Sequence, residues 1–175
     1  MPPDVEPDTM RALAAKLGRD CPLRIDPISH IPGALRLKPI DVLLVDHHYF
    51  GSFAGRQSLG PISESARWRL SPHSNSHAGI TMAAMIYLAA RLPQLTLASD
   101  THYPWLVDGA EVLEGPRLAI REGKMAIPLG VGLGVKLDRD KLARSHETYK
   151  KSGMRGRDDA ALMRRIEPHR DGRPF

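Results

Sequence analysis

Polar side chains follow three apolar or strand-like runs of the sequence, at the point where each run ends. The three groups occupy residues 46–48, 73–75 and 100–102. In a parallel β/α arrangement the carboxyl ends of the strands converge on one face, and that face carries the reactive side chains. We therefore expect the three groups to share one pocket. They consist of Asp46, His47, His48, His73, Ser74, Asn75, Asp100, Thr101 and His102.

The pairing of an aspartate with a histidine in this pocket would provide acid–base chemistry. A carboxylate that accepts a hydrogen bond from an imidazole orients the ring and raises its basicity. The pattern predicts His73 as a general base backed by Asp46. Asn75 and His102 would then hydrogen-bond a polar substrate.

The same side chains also have structural interpretations. A histidine in a loop is commonly a solvated or capping residue, and Asp46 or Asp100 could cap the element that follows it. Ser74 or Ser76 is predicted to cap the helix expected over 79–92. The coincidence of polar groups at three strand ends is what favours the functional interpretation.

Two further patterns could indicate a ligand site. His73 and His77 have the H-x3-H spacing that places two zinc ligands on one face of a helix. No glutamate follows the first histidine, and His73 precedes the predicted helix, so zinc is disfavoured there. The run GVGLGV at 130–135 lacks the spacing of a phosphate-binding loop, and no helix begins directly after it, which indicates a tight β-turn.

Strand-like and helix-like segments alternate along the first two thirds of the chain, which is typical of parallel β/α units. The run IDVLLV at 40–45 is typical of a strand buried on both faces. In the segment 52–66 the position favours a helix, but Gly60 and Pro61 argue against one. The other predicted elements are helices at 8–19, 79–92 and 138–151, a helical turn at 31–38, and strands within 21–27, 68–70, 95–98 and 116–136.

Composition limits the class of protein. The 175 residues suffice for one domain, and 42% apolar residues with mixed charges indicate a soluble globular protein. Cys21 is the single cysteine, so no intrachain disulfide can form, and the N-terminus has no secretory signal; both favour the cytoplasm. The uncharged run 74–90 is short for a membrane span and predicts a buried helix.

The net charge of +5 permits nucleic-acid binding but does not require it. The basic segment after residue 149 contains acidic residues and lacks interleaved aromatics, so a solvated surface or a subunit contact is favoured. Nucleic-acid binding is the weakest of the functional hypotheses.

Several long blocks of the sequence resemble a known family. IDVLLVDHHYFG, SPHSNSHAGITMAAMIYLAARLPQLTLASDTHYPW and GVGLGVKLDRDKLARSHETY are similar to the C-terminal half of glucarate dehydratase-like proteins, in the mandelate racemase-related branch of the enolase superfamily. The resemblance implies an α/β fold. Residues 1–105 would form part of a TIM (β/α) barrel with an internal deletion near 27–29. Residues 106–175 would form a short β-rich segment and a C-terminal helix that normally packs against a capping domain.

The resemblance also implies an activity. In this family Mg²⁺ stabilises the enediolate formed when the proton α to a carboxylate of an acid sugar is removed, and water then leaves from the β-carbon. Matching motifs imply His73 with Asp46 as the catalytic dyad, Ser74, Asn75, Asp100 and His102 as substrate-pocket residues, and Asp26 as the first of three magnesium ligands.

The sequence departs from this family pattern in ways that bear on activity. The Lys-x-Lys base, two of the three metal ligands, the capping domain and the first barrel strands have no counterpart in it. One carboxylate cannot by itself provide the octahedral site that Mg²⁺ requires, so we expect a truncated hydro-lyase with impaired activity. The alternative is a non-catalytic remnant or interaction module. The expected partner is a glucarate-like small molecule rather than nucleic acid or a membrane, and uncovered strand edges favour a homo-oligomer.

Overall fold

The computed structural model describes residues 15–16, 24–25, 41–48, 52–74, 77–153 and 156. The helix predicted over 8–19 is represented there by Ala15 and Lys16, both helical. The helical turn predicted at 31–38 and most of the basic C-terminal segment lie outside the described residues. The same holds for three residues of the predicted sites, which are Asp26, Asn75 and Ser76.

A parallel four-stranded sheet organises the chain. Its strands lie side by side in sequence order, and each pairs in parallel with the next. The predicted alternation of parallel strands and helices is therefore confirmed. The strands are β1 (Arg24–Ile25), β2 (Val42–Val45), β3 (Arg69–Ser74) and β4 (Asp100–Thr101).

Strand β2 provides the centre of the core. Val42, Leu43 and Val45 are fully buried, and Leu44 is half-buried. A strand with neighbours on both edges and covered faces needs a nearly continuous apolar sequence. The prediction of a buried strand in this run is thus confirmed.

Three helices connect and follow these strands: α1 (Phe53–Gln57), α2 (Leu59–Ala66) and α3 (Gly79–Arg91). The pair Gly60-Pro61 does not prevent a helix, because both residues lie in the first turn of α2. Backbone N–H groups there have no intrahelical acceptor, so proline removes no helical hydrogen bond. The 52–66 segment is instead divided at Ser58, between α1 and α2.

Two local predictions differ from the structure. The strand predicted at 95–98 is absent from that segment, because the N–H groups of Leu95 and Thr96 donate to carbonyls of the preceding turn. Strand β4 begins two residues later, at Asp100. The predicted serine cap of α3 is also not seen for Ser74, whose Oγ lies 2.8 Å from Oγ1 of Thr101. The residue before α3 is Ala78, which provides no side-chain cap.

The segment after β4 packs against α3. It contains a 3₁₀ helix (Tyr103–Trp105), the antiparallel pair β5 (Ile120–Arg121) and β6 (Lys124–Met125), and helix α4 (Arg139–Ser152). A cluster of buried side chains joins it to α3, formed by Met82, Met85, Ile86 and Tyr103, with Leu106, Leu118 and Met125 packed on its edge. The domain boundary predicted between 105 and 106 stays a prediction.

The glycine-rich run and helix α4 form as predicted. The chain turns at 130–134, where the N–H of Gly134 donates to the carbonyl of Val131 and both Gly132 and Gly134 have positive φ. Helix α4 begins after Asp138, whose Oδ1 accepts hydrogen bonds from the N–H groups of Asp140 and Lys141. Within the described ranges, no helix combines the length and apolar character that crossing a membrane requires.

Candidate functional site

The pairing of β3 with β4 brings two of the predicted polar groups together. His73 is in register with Asp100, and Ser74 with Thr101. Residues in register on adjacent parallel strands project to the same face of the sheet. Nδ1 of His73 accordingly lies 3.1 Å from Oδ2 of Asp100. An ionised carboxylate can only accept, so this contact places the proton on Nδ1 and leaves the lone pair on Nε2.

The carboxylate of Asp46 has different partners. Its Oδ1 accepts hydrogen bonds from the backbone N–H of His48, at 2.9 Å, and from Nδ1 of His48, at 2.8 Å. Its Oδ2 lies 3.6 Å from Nε2 of His77, which is an ion-pair distance rather than a hydrogen bond. The turn after β2 folds His48 back over Asp46, whereas strand register joins His73 to Asp100. The pairing of His73 with Asp46 that the sequence suggested is therefore not the one in the structure.

The two aspartates also differ in their surroundings. The side chain of Asp46 is 1% exposed and that of Asp100 is 54% exposed. Burial by itself raises the pKa of Asp46, but the contacts with His77 and His48 outweigh burial and hold that pKa well below the ordinary aspartate value. Asp46 is therefore a fixed, ionised group at neutral pH, while the Asp100 carboxylate is largely in contact with water.

His102 lies beside His73, as predicted. Their ring centroids are 6.4 Å apart with the rings nearly perpendicular. On its other side His102 approaches the ring of Trp105, with centroids 5.3 Å apart, and Trp105 is 75% exposed. Sequence reasoning did not assign Trp105 to the site, although a tryptophan three residues after a predicted site histidine was the available signal.

Ser74 occupies a supporting position rather than a pocket surface. It is buried, and its hydroxyl is bonded to that of Thr101. Thr101 in turn accepts a hydrogen bond from the N–H of Tyr103. This chain of bonds holds the ends of β3 and β4 together beneath His73, so the predicted contact of Ser74 with substrate is not supported by its position.

A third carboxylate, Glu111, was missed by sequence reasoning. Its Oε1 accepts hydrogen bonds from the N–H groups of Gly79, Val112 and Leu113, at 2.7–3.1 Å, and its Oε2 accepts one from the Tyr103 hydroxyl. Glu111 thereby binds the first N–H of α3, where negative charge is favoured. Glu111 lies 32 residues after Gly79, and no local sequence pattern predicts their contact.

The ionisation of this pair follows from the same contacts. Burial raises the pKa of Glu111, but the hydrogen bonds from Tyr103 and from the three N–H groups outweigh burial, so its pKa lies below the ordinary 4.5. Burial and the hydrogen bond to Glu111 raise the pKa of Tyr103 to about 12. Glu111 is therefore a structural anion beneath the site.

Metal-binding side chains are concentrated after β2. Asp46, His47 and His48 each offer one ligand atom, and these atoms lie within 4.8 Å of one another. Magnesium prefers an octahedron of oxygen ligands and retains waters. The donors in this group are mostly imidazole nitrogens, so the group does not fit magnesium. The predicted magnesium ligand Asp26 lies outside the described residues.

Comparison with known proteins supports the resemblance noted in the sequence. The sequence model of a family described as enolase C-terminal domain-like matches residues 1–141. The chain belongs to this family. A curated relative, the probable glucarate dehydratase of Streptomyces coelicolor, is 39% identical over 165 residues, which are 91% of this chain and 37% of the relative.

Solved structures of enolase-superfamily members share the fold. An enolase from Thermobispora bispora complexed with magnesium and formate is 42% identical, with a TM-score of 0.82 over 95% of this chain. An enolase from Pseudomonas fluorescens with bound magnesium, potassium and tartrate is 34% identical, with a TM-score of 0.83 over the same share. The chain spans 40% of each of these proteins. The expected α/β fold, part of an enolase-type barrel, is confirmed.

Proposed function

We propose that this chain carries the histidine-base side of an acid-sugar dehydratase, with His73 as the base that removes the proton α to a substrate carboxylate. The observation that carries the proposal is the hydrogen bond from Nδ1 of His73 to Asp100, next to His102, at the carboxyl ends of two parallel strands. The relation to a probable glucarate dehydratase supports a glucarate-like substrate.

The proton transfer uses atoms of the described residues. Nε2 of His73 accepts the α-proton, and the imidazolium that forms is paired with Asp100 through Nδ1. Water reaches Asp100, which is 54% exposed, so this ion pair is screened, and its main role is to orient the imidazole of His73. His102 and Trp105 border the substrate side of His73, where a hydroxyl of the sugar acid can bond to the imidazole of His102.

The cofactor expectation rests on relatives. Solved structures of relatives are complexed with magnesium, which supports Mg²⁺ as the cofactor of the family. In this chain Asp26 is the single predicted ligand for it. Because removal of the α-proton itself forms the enediolate, we propose that both proton exchange and elimination of water are slow in the isolated chain.

The test is deuterium exchange at the α-carbon of glucarate. Proton NMR in D₂O with Mg²⁺ is expected to show slow loss of the α-proton signal with the chain. The loss should stop in His73→Gln and continue in His146→Gln, a matched change on the exposed helix α4. Equal exchange rates in the two variants would contradict the assignment of His73.

The second candidate is the non-catalytic interaction module. It is favoured by the apolar side chains that the turn 127–131 exposes, since Leu129 and Val131 are almost fully accessible. Apolar residues grouped on a surface mark interaction sites. A folded chain that shows no exchange at all, but self-associates in analytical ultracentrifugation, would support this candidate over the dehydratase. Self-association reduced in Leu129→Ser would place the contact at that turn.

A further inference from the structure

We infer that the group after β2 is a binding site for a divalent transition metal, with Asp46, His47 and His48 as ligands and His77 as a fourth. The site adjoins the proposed base, since Asp46 follows Val45, which is in register with Pro72, but His73 itself bonds to Asp100. It takes a borderline cation such as Zn²⁺, Co²⁺ or Ni²⁺ rather than magnesium.

Ligand atoms of three side chains converge after β2. One atom from each of Asp46, His47 and His48 lies within 4.8 Å of the others. His77 approaches this group from a later part of the chain, with Nε2 3.6 Å from Oδ2 of Asp46 and its ring stacked on that of His48 at a centroid distance of 4.0 Å. Three imidazoles therefore surround one buried carboxylate.

Two polar atoms face each other within this group. Oδ2 of Asp46 and Nε2 of His77 are both buried and make no hydrogen bond with any described residue. Burying a carboxylate oxygen without a partner is costly. The two atoms are 3.6 Å apart. Two ligands held at about 2.1 Å by a tetrahedral cation lie roughly 3.4 Å apart, so the spacing suits a shared ion better than a direct hydrogen bond.

The ligand chemistry of the group favours transition metals. Imidazole nitrogens with a carboxylate suit zinc, cobalt and nickel, whereas calcium and magnesium prefer oxygen. The carboxylate of Asp46 is already held in place by the N–H of His48. The side chains of His48 and His77 are partly exposed, at 39% and 22%, so an ion can enter from solvent. Bound there, it would link the end of β2 to the segment that leads into α3.

The experiment uses the full chain after treatment with a chelator. Isothermal titration with Zn²⁺ is expected to give one saturable site per chain. His48→Asn and His77→Gln should each weaken that binding by more than about tenfold, because each variant removes one metal ligand. His73→Gln and His146→Gln should bind Zn²⁺ as the unchanged chain does. Excess Mg²⁺ should not displace the ion.

A measurement on the unchanged chain guards against variants that fail to fold. With Co²⁺ bound, proton NMR should show strongly shifted exchangeable signals from imidazole N–H groups, and saturating Zn²⁺ should raise the melting temperature. The inference is overturned if the chain shows no saturable binding. It is also overturned if His77→Gln binds normally, or if His73→Gln is the variant that loses the ion.

Discussion

Two places at the carboxyl ends of the strands each pair a histidine with an aspartate, yet the two pairs differ in burial and in hydrogen bonding. After the inner strand β2, Asp46 is buried, accepts two hydrogen bonds from His48 and faces His77. On β4, the side chain of Asp100 is mostly exposed, and among the described residues it makes one hydrogen bond, with His73. Position in the sheet, rather than residue type, decides whether such a carboxylate is rigidly held or solvated.

The comparison assigns different tasks to the two groups. A buried, multiply bonded carboxylate has a fixed orientation and a lowered pKa, which suit a structural or metal-binding role. An exposed pair leaves the imidazole accessible to a substrate, at the cost of weak electrostatic coupling. The predictions below test this contrast and the role of the third carboxylate, Glu111, beginning with the largest effect.

Removal of the buried carboxylate should give the largest loss of stability. Asp46→Ala removes the acceptor for two hydrogen bonds from His48 and leaves His77 facing a cavity. Hydrogen bonds to a charged group contribute about 1.5–3 kcal/mol each, so we expect a loss of roughly 3 kcal/mol. Urea unfolding followed by circular dichroism measures the free energy of unfolding. A loss below about 1 kcal/mol would contradict the structural role of this group.

Glu111, the third carboxylate, allows a test of structural anchoring that involves no histidine. A Cβ on Gly79 would lie 2.5 Å from Cδ1 of Leu113 and 2.7 Å from Oε2 of Glu111. Gly79→Ala should therefore displace Glu111 from the start of α3 and cost about 1–3 kcal/mol. Gly156→Ala is the matched control, because a Cβ there meets nothing within 4 Å. Equal unfolding free energies for the two variants would show that Glu111 does not hold the helix.

The pH dependence of stability follows from the Glu111–Tyr103 pair. The folded pKa of Glu111 is below 4.5, so its contribution is complete above pH 4.5 and is lost as the pH falls through the folded value. The pKa of Tyr103 is raised from 10.0 to about 12, so its contribution is complete below pH 10 and is lost between pH 10 and about 12. Thermal melts across the pH range measure both losses.

The variant Tyr103→Phe distinguishes the loss of stability at acid pH from the loss at alkaline pH. It should remove the loss of stability between pH 10 and 12, because no phenol remains to ionise at that position. The pH at which stability is lost on acidification should rise, because Glu111 loses one hydrogen-bond donor. An unchanged alkaline limit would mean that another group is responsible for it.

Removal of the exposed carboxylate should have the smallest effect on stability. Asp100→Ala breaks one screened contact with His73, and exposed pairs of this kind contribute about 0–1 kcal/mol. The same urea experiment that is applied to Asp46→Ala provides the comparison. A loss as large as that of Asp46→Ala would erase the distinction between the two groups.

The sequence was informative where local pattern determines structure. The apolar run 40–45 predicted β2, and the apolar segment before Arg91 predicted α3. The turn at 130–134 and the cap of α4 by Asp138 also follow from local residue types. The predicted end of β2 is found in the structure, whereas β3 extends to Ser74 and β4 begins at Asp100, beyond the predicted segments.

Partners across the sheet could not be predicted in the same way. His73 is 27 residues from both Asp46 and Asp100, so separation along the chain cannot choose between them. Register with the flanking strands brings both aspartates near His73. The hydrogen bonds of Asp46 with His48 leave Asp100 as the partner of His73. Tertiary packing likewise brings His77 to Asp46 and Glu111 to Gly79. No local sequence pattern predicts either contact.

The most direct test of this account is the tautomeric state of His73 in two variants. Long-range ¹H–¹⁵N correlation spectra report which ring nitrogen carries the proton, and His73→Gln identifies the signal among the eight histidines. We expect Asp100→Ala, which removes the acceptor, to release the Nδ1 proton of His73, and Asp46→Asn to leave it in place. Loss of that proton in Asp46→Asn, with no change in Asp100→Ala, would contradict the assignment of Asp100 as the partner of His73.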